Sequence, residues 1–343
     1  MGDGEVPVLL AAKRIRITKG SKVSRPVFGG DGVFFVDRDS CTKLSRESLE
    51  LRWRVPIERD SGLAFVQGRT LVLGRLGAFY ALDVSDGTRM WGPTRLGACL
   101  QWRDEVLSVT PLGVMDLETG ALIRTLYPSD DLVRDAALCG DVAVGGANTS
   151  DLVAPVTAFH LIEERVLWKR DIIAEATSRA QPYQVTRVAP GEPGIVLVAR
   201  QDMLFGYSLD QGVFCWQRPV TLSYHLPNAA QGRVYILSVG TGELAHLLCL
   251  DVATGSTLYD VPQPLIDPLD HPLRGTLDRD QIAFSTTRGS LLVCRVSDGR
   301  PVWSATYPET LRPPVFVDGR VLVSAFDGQV LVFEPPSGGE GRG

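Results

Sequence analysis

Two stretches of the sequence, "ALDVSDGTRMW" at Ala81–Trp91 and "VCRVSDGRPVW" at Val293–Trp303, carry the same Ser-Asp-Gly core and place a tryptophan four residues after the glycine. Each reads as a short apolar strand, a tight turn and a second strand. Asp-Gly between β-type runs marks a hairpin, because glycine accepts the positive φ that the turn needs. Working outward from Trp91, the spacing recurs in "LIEERVLW" ending at Trp168, "LDQGVFCW" at Trp216 with Gly212, and "LDVATGSTLY" at Tyr259. "MDLETGALIR" ends on Arg124, and "LSRESLELRW" ends on Trp53 with Leu49 at the glycine position. The anchors 53, 91, 124, 168, 216, 259 and 303 stand 38, 33, 44, 48, 43 and 44 residues apart. One unit of about forty residues is therefore written repeatedly through the chain.

Upstream of each anchor the grammar is constant. A short apolar strand, often opened by proline, leads through a turn to a second strand such as "GRVYILSV" or "GRVLVSAF". A third follows, such as "AFYALDV" or "LLCLDV", and the glycine turn then leads into the aromatic strand. Amphipathic helix periodicity is almost absent. Four short antiparallel strands per forty residues is the signature of a β-propeller blade. The last copy, "PPVFVDGRVLVSAFDGQVLVFEPPSGG", supplies three strands, and "VPVLLAAKRIRI" at Val6–Ile17 is a strand with no blade of its own. Since open sheet edges are a liability, the N-terminal strand is expected to complete the last blade beside Val330–Glu334. The fold class predicted is all-β: one closed propeller of eight four-stranded blades over residues 1–336, followed by a flexible Gly-rich tail at 337–343. Seven blades is the alternative, should the weak first or third copy not form a separate blade.

The pattern A-x-D-x-x-x-G-x-x-x-W resembles the tryptophan-docking repeat of pyrroloquinoline quinone (PQQ)-type propellers. Ala81, Asp83, Gly87 and Trp91 match in full; Asp251 and Gly255 match with Tyr259 in the aromatic place, Asp116 and Gly120 match without an aromatic, and Gly299 and Trp303 match with Arg295 in place of the aspartate. The resemblance implies that each ring packs against the glycine region of the neighbouring blade. Ala81, Asp83, Gly87, Trp91, Trp53, Asp116, Gly120, Trp168, Gly212, Trp216, Asp251, Gly255, Tyr259, Gly299 and Trp303 are thus expected to dock blade to blade. Such a role is structural and speaks for fold more than for function.

The family includes exported dehydrogenases that hold PQQ with calcium, often beside adjacent cysteines. The six cysteines here (Cys41, Cys99, Cys139, Cys215, Cys249, Cys294) stand singly among apolar residues, and the four histidines are scattered. Buried small hydrophobes are the expectation, with no metal site, no cofactor and no catalytic residue. Trp102, the one tryptophan outside the repeat, is expected in the core of the third blade rather than as a cofactor platform, and His160 is expected to stand in for a motif aspartate. Charge is balanced at 35 basic and 40 acidic residues, which argues against nucleic-acid binding. No run approaches the eighteen or so apolar residues of a membrane-spanning helix. The start, "MGDGEVPVLLAAKR", puts Asp3 and Glu5 where a secretory leader carries basic residues. The expected location is therefore cytoplasmic, and the expected job a scaffold that binds protein partners in an assembly, with a small-molecule sensor or a PQQ enzyme as alternatives.

In a sequential four-stranded blade, the second-to-third turns and the blade-to-blade connections leave on one face. The longest such segments are "GGANTSDLVAP", "DIIAEATSRAQPYQ" and "DVPQPLIDPLDHPLR". Binding surfaces are more often built from loops on a rigid scaffold than from the scaffold itself. The last segment is dense in proline and carries Leu265, Ile266, Leu269 and Leu273. These four are the candidate partner-binding residues. The basic run Lys13, Arg14, Arg16, Lys19, Lys22, Arg25 reads as a charged outer edge strand.

Overall fold

A computed structural model describes residues 6–18, 22–75, 78–95, 99–109, 111–127, 135–146, 153–173, 187–191, 194–200, 203–220, 227–239, 244–267 and 270–334. These form eight separate four-stranded antiparallel sheets. Seven are sequential: 27–56, 62–95, 99–127, 135–173, 187–219, 228–263 and 276–306. The eighth takes three strands from 315–333 and its outer strand, Lys13–Arg16, from the other end of the chain. The weak first and third copies each form a full blade, so the count is eight. The tail expected at 337–343 lies outside the described residues.

The closing strand pairs Lys13 with Val332 and Arg16 with Gln329. It is shorter than expected, because the preceding residues do something else. Val8 bridges Ser304 in parallel, Leu9 N donates to Ser304 O at 2.7 Å, and Ser304 N donates to Pro7 O at 3.0 Å. The N-terminal segment therefore runs first beside the outer strand of the seventh blade and then becomes the outer strand of the eighth.

Burial follows strand rank. Second and third strands, such as Gly32–Val36 and Leu112–Met115, are buried throughout, whereas the outer Leu51–Pro56 alternates exposed and half-buried. The first strands of neighbouring blades approach one another, which places them around the central axis. The apolar core is divided into eight clusters, each lying between two adjacent blades. One of them joins Tyr235, Leu237, Leu247 and Cys249 of the sixth blade to Ile282, Phe284, Leu292 and Cys294 of the seventh. A blade alone would expose these faces to water, so the ring is stabilised joint by joint.

Candidate functional site

At five of the joints an aromatic residue of one blade meets the glycine turn of the next. Trp53 Nε1 donates to Val84 O at 3.0 Å, Trp91 to Leu117 O at 2.7 Å, Trp168 to Leu209 O at 2.8 Å and Trp216 to Val252 O at 2.8 Å, while Tyr259 Oη donates to Val296 O at 3.0 Å. The acceptor is always the residue just after the motif's aspartate position. Gly87, Gly120, Gly212, Gly255 and Gly299 have φ between 63° and 77°, a region that L side chains enter at a cost. A Cβ at Gly212, Gly255 or Gly299 would also stand 2.5–2.6 Å from the ring of Trp168, Trp216 or Tyr259. Ala81 pairs directly with Trp91 and Gly206 with Trp216, so a small residue gives each ring room to lie across the neighbouring strand.

Two joints depart from this rule, and they depart together on both sides. Arg124 replaces the aromatic and donates to Glu164 Oε1 at 2.7 Å; Glu164 occupies the glycine position with φ 51°. At the closing joint Lys13 stands in the aromatic register and donates to Ser48 O at 3.0 Å, next to Leu49 at φ 57°. Where no ring presses on the turn, a side chain is tolerated there. Leu49 is buried in the cluster between the eighth and first blades. Asp318 and Arg46 add a two-pronged ion pair across that seam, at 2.6 and 2.9 Å.

The motif aspartates hold the turns. Asp83 accepts from Ser85 N at 2.8 Å and Ser85 Oγ at 2.6 Å and pairs with Arg69; Asp116 accepts from the backbone of Glu118 and Thr119, and Asp251 from Thr254. His160 substitutes as expected in chemical kind, its Nδ1 accepting from Glu163 N at 3.1 Å. The hydrogen bonds from Ser85 and the Arg69 pair hold the Asp83 carboxyl down at about 2, and donors from Thr119 and Thr254 lower Asp116 and Asp251. A carboxyl lowered in the folded state stabilises above its unfolded value of about 3.9 and loses that contribution as pH falls toward the folded value. Tm is therefore expected to fall steeply below about pH 4, and Asp83→Asn is expected to narrow the gap in Tm between neutral and acid solution. An unchanged gap would show that Asp83 does not carry this dependence.

Trp102 is buried among Leu107, Leu112 and Phe159, with Nε1 donating to Asp141 Oδ1 at 3.0 Å. It is a core residue of the third blade. Cys41, Cys139, Cys249 and Cys294 are buried, and burial raises the Cys41 thiol to about 12. Cys215, by contrast, is exposed on an outer strand, because alternate residues of an outer strand face water. No group of three metal-ligating side chains occurs among the described residues.

The four candidate partner contacts separate. Leu265 is 38% exposed, but Ile266 is 1% exposed and packs between the sixth and seventh blades with Tyr235 and Phe284. Ile266 is thereby corrected from a partner contact to a core residue. Leu273 is half-buried, with its N–H donating to Ser285 O at 2.8 Å, and Leu269 lies outside the described residues. Asp270, 1% exposed, ties the connection down by accepting from His271 N, Thr287 Oγ1 and Arg288 N.

The same face holds a cavity of about 710 Å³ at the mouth of the central channel. It is lined by the connections into the first blade (Lys22, Arg25), the second (Asp60) and the eighth (Arg312), by the start of their first strands (Phe28, Leu63, Val315) and by the second-to-third turn of the first blade (Arg38). Sequence reasoning gave Lys22 and Arg25 to an outer edge strand; instead the basic run divides, with Lys13–Arg16 on the rim and Lys22 and Arg25 at the mouth. Arg312 was missed altogether. A signal existed, in "SRPVF", "LRGTL" and "LRPPVF", which place Arg25, Arg274 and Arg312 just ahead of the innermost strands of the first, seventh and eighth blades.

Residues 154–340 match the family model described as outer membrane protein assembly factor BamB. The crystal structure of BamB from Moraxella catarrhalis superimposes with a TM-score of 0.67 at 16% identity, covering 95% of this chain and 100% of that one. Sqt1 of Saccharomyces cerevisiae superimposes with a TM-score of 0.66 at 12% identity, covering 97% and 100%. No curated protein matches the chain. The structural likeness carries the fold. The family match corrects the cytoplasmic placement: the matching family is described by an outer-membrane assembly role. The polar first residues on which that placement rested say nothing about the compartment of the propeller that follows.

Proposed function

The chain belongs to the propeller family described as outer membrane protein assembly factor BamB, and on that premise we propose that it is a non-catalytic propeller that binds partner proteins within a multi-protein assembly. The observation that carries this reading is the division of labour in the ring. The joints are built from repeated, closely packed motif residues, while the described connections of one face carry the channel mouth and the exposed Leu265. A rigid frame that holds a connection down, as the bonds of Asp270 to Thr287 and Arg288 do beside Leu265, lowers the entropy cost of association. Cross-linking in the native host followed by partner identification tests the reading. Cross-links are expected on the long-connection face, and Leu265→Ser is expected to weaken partner retention with Tm unchanged. Cross-links confined to the outer rim or the short-turn face would reject it. Ile266→Ser is unsuitable as a probe, since it opens the core.

A further inference from the structure

The channel mouth gathers four cations against two carboxylates, Asp37 and Asp60. Lys22, Arg25, Arg38 and Arg312 line it, and Arg274 lies close enough to Arg25 to depress its ionisation further after burial has done so. Of these two acids Asp37 is engaged by an arginine outside the cavity, and Asp60 faces solvent. Asp37 is buried and binds Arg54 at 2.7 Å, and Asp60 lies 3.8 Å from Arg59. Among the described residues, no carboxylate pairs with Arg25, Arg38, Arg274 or Arg312. Arg25 Nη2 donates to Thr276 Oγ1 at 3.0 Å, yet its Nε is buried with no acceptor, and so is that of Arg312. Arg312 and Lys22 both sit over the Phe326 ring, at 4.5 and 4.7 Å from its centre. Like charges held together in a half-buried site repel, and the chain as a whole is acidic at −5. This cluster therefore works against stability, as binding sites often do.

Resting on the interaction reading above, we propose that the channel mouth binds an acidic peptide segment of a partner, with several carboxylates set among apolar side chains. The cations come from connections into three successive blades, the seventh, eighth and first. That arc suits carboxylates spaced along an extended chain better than one compact anion. The same wall carries Val27, Leu63 and Phe28, the last 45% exposed, which offer apolar contacts to intervening residues. Guanidinium groups give two-pronged bonds to carboxylates, and a cation-lined cleft also speeds encounter with an acidic partner.

The test is anisotropy of a fluorescein-labelled hexapeptide of alternating glutamate and leucine, with the glutamine counterpart as control, on the full chain. The glutamate peptide is expected to bind, to weaken with salt, and to exceed the glutamine peptide in affinity by about tenfold or more. Arg274→Gln is expected to weaken binding by about tenfold while Tm stays constant or rises; it is exposed and has no side-chain hydrogen bond among the described residues, so folding is not at risk. Arg25→Gln serves as the second variant. Equal binding of the two peptides, no binding of the glutamate peptide at millimolar concentration, or wild-type affinity in both variants overturns the proposal. Displacement by micromolar inorganic phosphate also overturns it, by assigning the cavity to a compact anion. Equal binding of the two peptides, with partner cross-links on the long-connection face present in the wild-type chain, sinks this inference and leaves the interaction reading standing; absence of every such cross-link from the wild-type chain sinks that reading itself.

Discussion

Deleting residues 1–17 is expected to leave a chain that aggregates or unfolds, even though those residues contribute only one short strand. The segment serves two blades. Pro7 and Leu9 bond to Ser304 of the seventh, while Ala12 N donates to Val332 O at 2.8 Å and Ile17 N to Gly328 O at 2.9 Å in the eighth. Ile17 is 6% exposed and packs with Val23, Val33 and Leu322 at the closing seam, and its carbonyl accepts from Arg54 of the first blade at 2.8 Å. Lys13 stands in the aromatic place and bonds to Ser48 O, while the carbonyl that an indole would meet, that of Arg46, accepts from Arg320 at 2.7 Å. The deletion thus opens the ring at the joint with the least aromatic packing. It also bares Gln329–Phe333, "QVLVF", as an apolar strand edge, the kind of edge that recruits other chains. The cost is expected to approach the whole stability of a typical domain, about 5–15 kcal/mol. Sedimentation and thermal melting of the truncated chain check this. A monomer that melts with the full-length protein would show that the ring does not depend on this closure.

The closure was legible in the sequence because it is a counting argument: three strands at one end, one at the other. The glycine turns were legible because a tight turn and a ring pressed on it both exclude a Cβ, as at Gly255 beneath Trp216. The two exceptional joints were not legible. Nothing in "MDLETGALIR" announces that Arg124 will meet Glu164, because a polar contact has no period and its partner lies forty residues on. The channel mouth was hidden for a stronger reason. Arg25 and Thr276 are 251 residues apart and become neighbours only when the ring closes. The apolar density of "DVPQPLIDPLDHPLR" misled in a different way. An apolar side chain that tucks into the rim and one that faces a partner read alike, and burial of Ile266 beside an exposed Leu265 separates them.

Among the docking residues, Trp303→Ala is expected to cost the most, about 3–5 kcal/mol. Trp303 is 0% exposed, whereas Trp91 is 7% exposed and Trp53 only half-buried. Its ring stacks on Phe333 with centres 5.8 Å apart and planes 30° from parallel. It also lies in the cluster that takes in Leu291, Phe316, Val321 and Leu331 and receives Leu9 and Ala11 from the N-terminal segment. Truncation to alanine therefore removes the packing of the seventh blade, the eighth blade and the closing segment in one step, and a space that three elements share collapses poorly. One feature sets this ring apart from the other indoles. Its Nε1 is buried with no partner among the described residues. The expected loss thus comes from packing, not from a hydrogen bond. Trp303→Phe, which keeps a ring against Phe333 and removes that buried N–H, is expected to retain most of the stability, whereas Trp91→Phe also gives up the 2.7 Å bond to Leu117 O and is expected to cost about 1 kcal/mol more than the same change at 303. Urea denaturation of the three variants orders them. Equal losses for the two phenylalanine variants would mean that the Trp91 bond contributes nothing at its joint, and a Trp303→Ala protein as stable as wild type would remove the aromatic ring from the account of how the seventh and eighth blades hold together.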